Sequence, residues 1–86
     1  MTPSEALADI RGFASAGRIV YGFHARQRMR ERRVRQVDVQ TALVGAVACR
    51  FQPEEGTWKA TGPDADGDEL TVIVALEDGV VVVTVF

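Results

Sequence analysis

The residues best suited to chemistry lie in one basic segment, from Phe23 to Arg33. It contains His24, the only histidine of the chain, and Arg28 four positions later. Side chains four residues apart on a helix lie one above the other, so these two can point at one ligand. An imidazole, with an ordinary pKa of about 6.5, transfers protons near neutrality. A guanidinium beside it can hold a phosphate and stabilise developing charge. The pair therefore suits RNA cleavage, although a histidine at a helix start is also a common structural device.

The charge of the chain is sharply divided between its two parts. The 86 residues carry a net charge of -2, but residues 1–50 hold nine Arg and four acidic residues, whereas residues 51–86 hold one Lys and eight acidic residues. Six of the arginines fall between Arg26 and Arg35, a concentration typical of a phosphate-binding surface. The same residues are compatible with a solvated helix face that forms salt bridges to the acidic part. Composition leaves both interpretations open.

Other side chains can complete an RNA site. Arg26 and Arg30 lie on the same predicted helix as His24, and we expect them to contact the RNA backbone. Lys59, the only lysine, adds a cation if the predicted sheet faces that helix, and is otherwise an ordinary exposed strand residue. Tyr21 can stack on an unpaired base, as can Trp58. Core packing explains both aromatic residues nearly as well.

Several common kinds of site are excluded. Cys49 is the only cysteine, so neither an internal disulfide nor a thiolate zinc cluster can form, and a buried, inert thiol is expected. The acidic run from Asp64 to Glu69 fails the EF-hand pattern, which needs Gly at position 6 and Glu at position 12. A solvated turn is predicted there. We therefore expect no metal site and no cofactor.

The elements that position these residues change from helix to strand along the chain. Apolar residues at helical spacing and good helix formers predict helices over 4–16, 23–33 and 36–47, with Ser4 as the first N-cap and Gly17 as a stop. Residues 18–21 fit a short strand or an extended lead-in. The period then becomes two, and strands are predicted over 49–52, 57–61, 70–76 and 80–86.

The turn chemistry connects these strands as an antiparallel meander. Asp78-Gly79 tolerates the positive φ angles of a tight hairpin. Regular alternation in the last strand places Val81, Val83 and Val85 on one face and Thr84 on the other. The expected fold is α+β, with two or three N-terminal helices on a three- or four-stranded antiparallel sheet, in a single domain over 1–86.

The sequence contains no signal for a membrane or for export. Its apolar runs, such as Val80 to Val83, are far shorter than the ~20 residues that a bilayer span requires. The start, Met1-Thr2-Pro3-Ser4-Glu5, lacks the basic and apolar regions of a secretory signal. We therefore expect a cytoplasmic protein without a membrane partner.

A longer motif resembles a known family. The run His24-Ala25-Arg26-x-Arg28-Met29-x-Glu31-Arg32, followed by Val34, by Val39 and Leu43, and by Val83-Thr84-Val85-Phe86, is similar to small bacterial proteins grouped as domain of unknown function 4258. The likeness covers most of the chain, from about Arg18 to Phe86. That family resembles the RelE-type and MqsR-type messenger ribonuclease toxins, whose helix-plus-antiparallel-sheet fold cuts RNA and is silenced by an antitoxin. The resemblance implies a RelE-like fold and site roles for His24, Arg28 and Thr84.

One departure from the family pattern concerns the link between the second and third helices. This chain has Arg33-Val34-Arg35 where family members often carry Gly and then Ile-Ser. It thereby lacks a glycine that can end one helix and a hydroxyl that can begin the next. We expect the fold to absorb this change.

Three hypotheses about function follow. The first is a metal-independent, toxin-type endoribonuclease that cleaves single-stranded mRNA by 2′-hydroxyl attack, with mRNA and a cognate antitoxin as partners. In it His24 is the general acid or base, Arg28 the phosphate clamp and Thr84 a hydrogen bonder; Tyr21, Arg26, Arg30 and Lys59 bind RNA. The second is a non-catalytic module whose arginine helix docks nucleic acid or an acidic protein. The third is a homodimer in which the arginines contact the acidic turn, 62–69, of a second copy.

Overall fold

Helices precede the main sheet along the chain, and a short strand separates the first two helices. A computed structural model describes all 86 residues. Its helices are α1 (Pro3–Ser15), α2 (Phe23–Arg32) and α3 (Gln36–Val44). Its strands are β1 (Ile19–Tyr21), β2 (Ala48–Gln52), β3 (Thr57–Pro63), β4 (Glu69–Glu77) and β5 (Gly79–Val85). The α+β class is confirmed.

The sheet differs from the prediction in strand number and direction. It has five strands in the order β1-β5-β4-β3-β2. Strands β2 to β5 form the expected antiparallel meander, but β1 runs parallel to β5, with Ile19 opposite Val80. A purely antiparallel sheet of three or four strands was therefore wrong. The reason is that β1 and β5 are far apart in the sequence, so local patterns do not reveal that β1 pairs with the edge of β5.

The first helix begins earlier than predicted. Thr2, rather than Ser4, is the N-cap: its hydroxyl accepts from the Glu5 backbone N–H at 3.2 Å. The Glu5 carboxylate accepts in return from the Thr2 N–H at 2.8 Å, which completes a capping box and lowers the pKa of Glu5. Pro3 is the first helical residue, where its missing N–H costs nothing. At the other end Gly17, the predicted stop, follows the helix and has a positive φ of 73°.

One face of the sheet carries the core. All three helices contribute buried residues to it, and the strands contribute alternate residues. It comprises Ala6, Ile10, Ala14, Ala25, Met29, Val39, Ala42, Leu43, Trp58, Ala60, Leu70, Val72, Val74, Val80, Val82 and Val85. The intervening strand residues point the other way and form what we call the open face, which includes Arg50, Lys59, Thr61, Thr71, Ile73, Thr84 and Phe86.

A β-bulge in β5 decides which residues share a face. Ile73 pairs with Thr84, the register then shifts, and Val83 is left as an extra residue. Regular alternation placed Val83 and Val85 together, but Val85 is fully buried whereas Val83 is 37% exposed. The bulge also turns Thr84 onto the open face, in one cross-strand row with Ile73 and Lys59.

Candidate nucleic-acid interface

The basic helix α2 is held against the sheet by one narrow stripe. Gly22, in extended conformation, begins it and donates its N–H to the Val82 carbonyl on β5 at 3.3 Å. Ala25 and Met29, four positions apart, are its buried residues and join the common core. Their spacing of four makes them one inward stripe, and the other faces of α2 carry mainly charged residues.

His24 is accessible. It is the second residue of α2, its side chain is exposed, and it forms no ion pair within the protein. An imidazole in this position can exchange protons with solvent and with a bound ligand. Neither His24 nor Arg28 lines any of the five main surface depressions. Any ligand of His24 would therefore bind along an exposed helix.

Arg28, one turn after His24, is half-buried and incompletely paired. Its side chain is 38% exposed, and its only acidic partner is Glu31, at 3.8 Å between Nη1 and Oε1. Its Nε is buried and has no hydrogen-bond partner. Most buried donors in proteins are satisfied, and an unsatisfied one costs about 1–3 kcal/mol. Arg28 is thus a cation whose charge the protein itself neutralises only weakly.

The ten Arg and Lys side chains of the protein fall into two groups. Those with a side-chain hydrogen bond or ion pair inside the protein are Arg11, Arg18, Arg26, Arg28 and Arg35. Those without one are Arg30, Arg32, Arg33, Arg50 and Lys59. Salt bridges to the acidic part of the chain therefore account for few of the arginines. The unpaired cations cluster at the end of α2 and on the open face.

The end of α2 is unusual because a non-glycine residue takes the left-handed conformation. Arg33 has φ 56° and ψ 40°, where the family resemblance favours Gly. The Val34 N–H donates to the Met29 carbonyl at 2.8 Å and so satisfies the last turn. Arg33 therefore adopts the left-handed conformation that a glycine would otherwise take, and the helix still ends normally. Its side chain is exposed, as are those of Arg30 and Arg32.

Arg35 has a structural role at the start of α3. Its Nε and Nη2 donate to the two carboxylate oxygens of Asp38 at 3.1 and 3.2 Å, and its backbone N–H donates to Oδ2 at 3.0 Å. These bonds lower the pKa of Asp38 to about 2, and its carboxylate satisfies the backbone N–H of Arg35 at the start of α3. Asp38 also accepts from the Ala65 N–H at 3.2 Å, and Arg35 reaches Asp66 at 3.8 Å. The carboxylates that gather here are therefore balanced by Arg35.

Tyr21 and Trp58, the two aromatic residues considered for base stacking, both pack in or against the core. Trp58 is 6% exposed and its ring lies 5.0 Å from that of Phe51, so it packs as a core residue. Tyr21 is half-buried against the core, its hydroxyl donates to the Gln36 carbonyl at 3.3 Å, and burial raises its pKa. Arg26 extends over the same segment, with Nε donating to the Tyr21 carbonyl at 3.3 Å.

The structure brings together some of the predicted site residues and separates others. His24 and Arg28 lie one turn apart on one side of α2, whereas Arg26 and Arg30 line a separate depression beside Val34. Thr84 is half-buried on the open face of β5, in one cross-strand row with Ile73 and Lys59. Lys59 is on β3, two strands away from β5 on the open face. It therefore lies outside the cluster on α2.

Arg50 is not among the site residues predicted from the sequence. It lies directly opposite Lys59 in the β2–β3 pair, and both line a depression of about 320 Å³ together with Ala48, Cys49 and Thr61. The β2–β3 turn offers a signal for this pairing. Gln52 pairs with Thr57 where the hairpin closes, so the residues two positions further from the turn on each strand, Arg50 and Lys59, are also opposite each other. Charge patterning alone could not show it, because they are nine positions apart.

Comparison with protein-family models, curated proteins and solved structures gave no match to this chain. None of the three helices combines the length and apolar character needed to cross a bilayer.

Proposed function

We propose that the protein is a toxin-type endoribonuclease that binds single-stranded RNA along α2 and cleaves it beside His24. The observation that carries the proposal is an exposed imidazole followed, one turn later, by a guanidinium with a buried unpaired Nε. Unpaired arginines continue the basic surface past this pair to the end of the helix. The motif likeness to domain of unknown function 4258, and through it to the RelE-type toxins, supports the same function.

The proposed reaction needs two proton transfers and one phosphate clamp. The 2′-oxygen attacks the adjacent phosphorus, the bond to the 5′-oxygen breaks, and a 2′,3′-cyclic phosphate results. His24 removes the 2′-hydroxyl proton or protonates the leaving oxygen, and solvent handles the other proton. Arg28 stabilises charge on the non-bridging oxygens. Arg26 and Arg30 hold flanking phosphates.

Cleavage of a labelled single-stranded RNA by the purified protein tests this proposal. Replacing a general acid or base usually costs about 10²- to 10⁴-fold in rate. We expect losses in that range for His24→Gln and Arg28→Gln, and product ends that carry 2′,3′-cyclic phosphate. Gln27→Ala is the matched control, because Gln27 is exposed on the same helix between the two sites and carries no charge.

The competing function, a non-catalytic binding module, gives a different result. RNA binding that weakens with salt, without any cut product, would identify the module and rule out the ribonuclease. Wild-type rates in His24→Gln would also refute the assignment of this residue. Growth arrest on induced expression, relieved by the same substitution and by co-expression of a neighbouring small open reading frame, tests the toxin and antitoxin roles.

A further inference from the structure

Two cations lie against each other on the open face with no acidic partner. Arg50 on β2 and Lys59 on β3 are directly paired in register. Side chains in such a pair have Cβ atoms about 4.5–5.5 Å apart, and like charges there destabilise the sheet. Neither residue forms an ion pair with any carboxylate of the chain. The protein therefore maintains an unfavourable pair that a bound anion would relieve.

Protection of a sheet edge does not explain this pair. β2 is an edge strand, and a charged residue such as Arg50 in its centre discourages pairing with another chain. Lys59, however, is on the interior strand β3, where that reason does not apply. The depression that both cations line also contains the Thr61 residue, whose hydroxyl is a further hydrogen-bond donor. The combination resembles an anion site more than a protected edge.

An aromatic ring lies next to the cations. Lys59 Nζ is 5.8 Å from the centre of the Phe86 ring, and Phe86 remains 49% exposed. Lys59 pairs with Ile73 on β4, and Phe86 follows β5 on the far side of that strand, so the Lys59–Phe86 contact spans β4. Ile73 is 5% exposed although it lies outside the helix-covered core. The open face thus has an apolar floor, a fixed cation and a partly free aromatic ring.

We propose that this surface, formed by Arg50, Lys59 and Phe86, binds single-stranded RNA, with the two cations on phosphates and the ring stacked on a base. This surface is separate from the cluster on α2. The inference rests on the proposed function in one respect only, that RNA is the ligand. An aromatic ring beside a basic strand pair favours RNA over an acidic peptide, because every base offers a face for stacking. The α2 cluster would then cut a strand that the sheet also holds.

Binding of a fluorescent 2′-O-methyl RNA tests the surface separately from cleavage, because this RNA has no free 2′-hydroxyl. We expect the double variant Arg50→Thr with Lys59→Thr to bind about 10- to 30-fold more weakly at 0.1 M salt. Its plot of log affinity against log salt should be less steep by about 1.4, since two phosphate contacts are lost. Arg18→Gln is the control, because it removes one cation that already pairs with Asp78 at 2.8 Å.

The fold itself should tolerate these changes. Thr favours strands, and removal of like-charge repulsion should leave the melting temperature of the double variant equal to or above that of the wild type. Phe86→Tyr should keep the affinity and Phe86→Leu should lower it about fivefold or more, because leucine retains apolar bulk but cannot stack.

The outcomes separate this inference from the proposed function. If the double variant binds RNA with wild-type affinity and salt slope, the surface is overturned, whether or not His24 is needed for cleavage. Binding of polyglutamate that depends on both cations, with no such effect on RNA, also overturns it in favour of an acidic protein partner. If the wild type cuts no RNA while the double variant loses binding, the ribonuclease fails and the RNA surface stands.

Discussion

A single methyl group added at Gly62 tests how closely the sheet and α3 approach each other. A Cβ at Gly62 would lie 2.1 Å from the Ala42 carbonyl oxygen and 3.0 Å from the Ala46 Cα. Both neighbours are backbone, which cannot rotate away as a side chain can. Gly62 does not have a positive φ, so strain in the backbone angles plays no part. The effect of Gly62→Ala is therefore a packing effect.

The expected magnitude follows from this distance. A contact of ordinary length requires the strand and helix to separate by roughly 1 Å, and overpacking of a core costs about 1–3 kcal/mol. Where space is free, replacement of Gly by Ala in a strand stabilises the protein by about 0.5–1 kcal/mol. The sign of the change in unfolding free energy therefore distinguishes a close approach from free space. The packing cost less this gain gives an expected net loss of about 1–2 kcal/mol of unfolding free energy. For a domain of this size that lowers the melting temperature by on the order of 5–15 °C.

Urea and thermal unfolding followed by circular dichroism measure the change, and the urea slope should stay constant. Gly12→Ala is the matched control. Gly12 lies within α1 with no atom within 4 Å of the new Cβ, so this variant should gain about 0.5–1 kcal/mol. A Gly62→Ala protein as stable as the wild type, beside a stabilised Gly12→Ala protein, would falsify the close approach described here.

Three further predictions concern the bulge, the end of α2 and the carboxylate at α3. Val85→Thr should cost about 1–3 kcal/mol in urea unfolding because it buries a hydroxyl, whereas Val83→Thr should stay within about 0.5 kcal/mol; equal costs would contradict the bulge. Arg33→Gly should stabilise the fold by about 1 kcal/mol, since it relieves a left-handed residue, and a lower melting temperature would contradict that. The pKa of Asp38 is lowered from 3.8 to about 2, because the ionised carboxylate is bonded to Arg35 in the folded state. Its contribution to stability is complete above about pH 4 and is lost as the pH falls toward 2. Asp38→Asn should therefore be less stable than the wild type at pH 7, and its unfolding free energy should fall less between pH 4 and pH 2. A wild-type urea midpoint that does not change between pH 4 and pH 2 would argue against the pairing of Asp38 with Arg35.

Much of the architecture was predictable because it depends on neighbours in sequence. The inward stripe of Ala25 and Met29 follows from helical spacing, and the Asp78-Gly79 turn follows from backbone preferences. The capping box of Thr2 and Glu5 is also visible in the sequence as a Thr-x-x-Glu pattern, two residues before the predicted cap at Ser4. The accessibility of His24 agrees with a polar position on an amphipathic helix.

The tertiary structure alone decided the features that depend on distant parts of the chain. Parallel pairing of β1 with β5 joins segments about sixty residues apart, and no local pattern encodes it. The bulge at Val83 moves Thr84 to the other face, since one extra residue reverses a period of two. Local patterns make a basic helix and an alternating sheet, but which charges meet, as Arg50 and Lys59 do, depends on strand register. Register is fixed by the packing of the whole core.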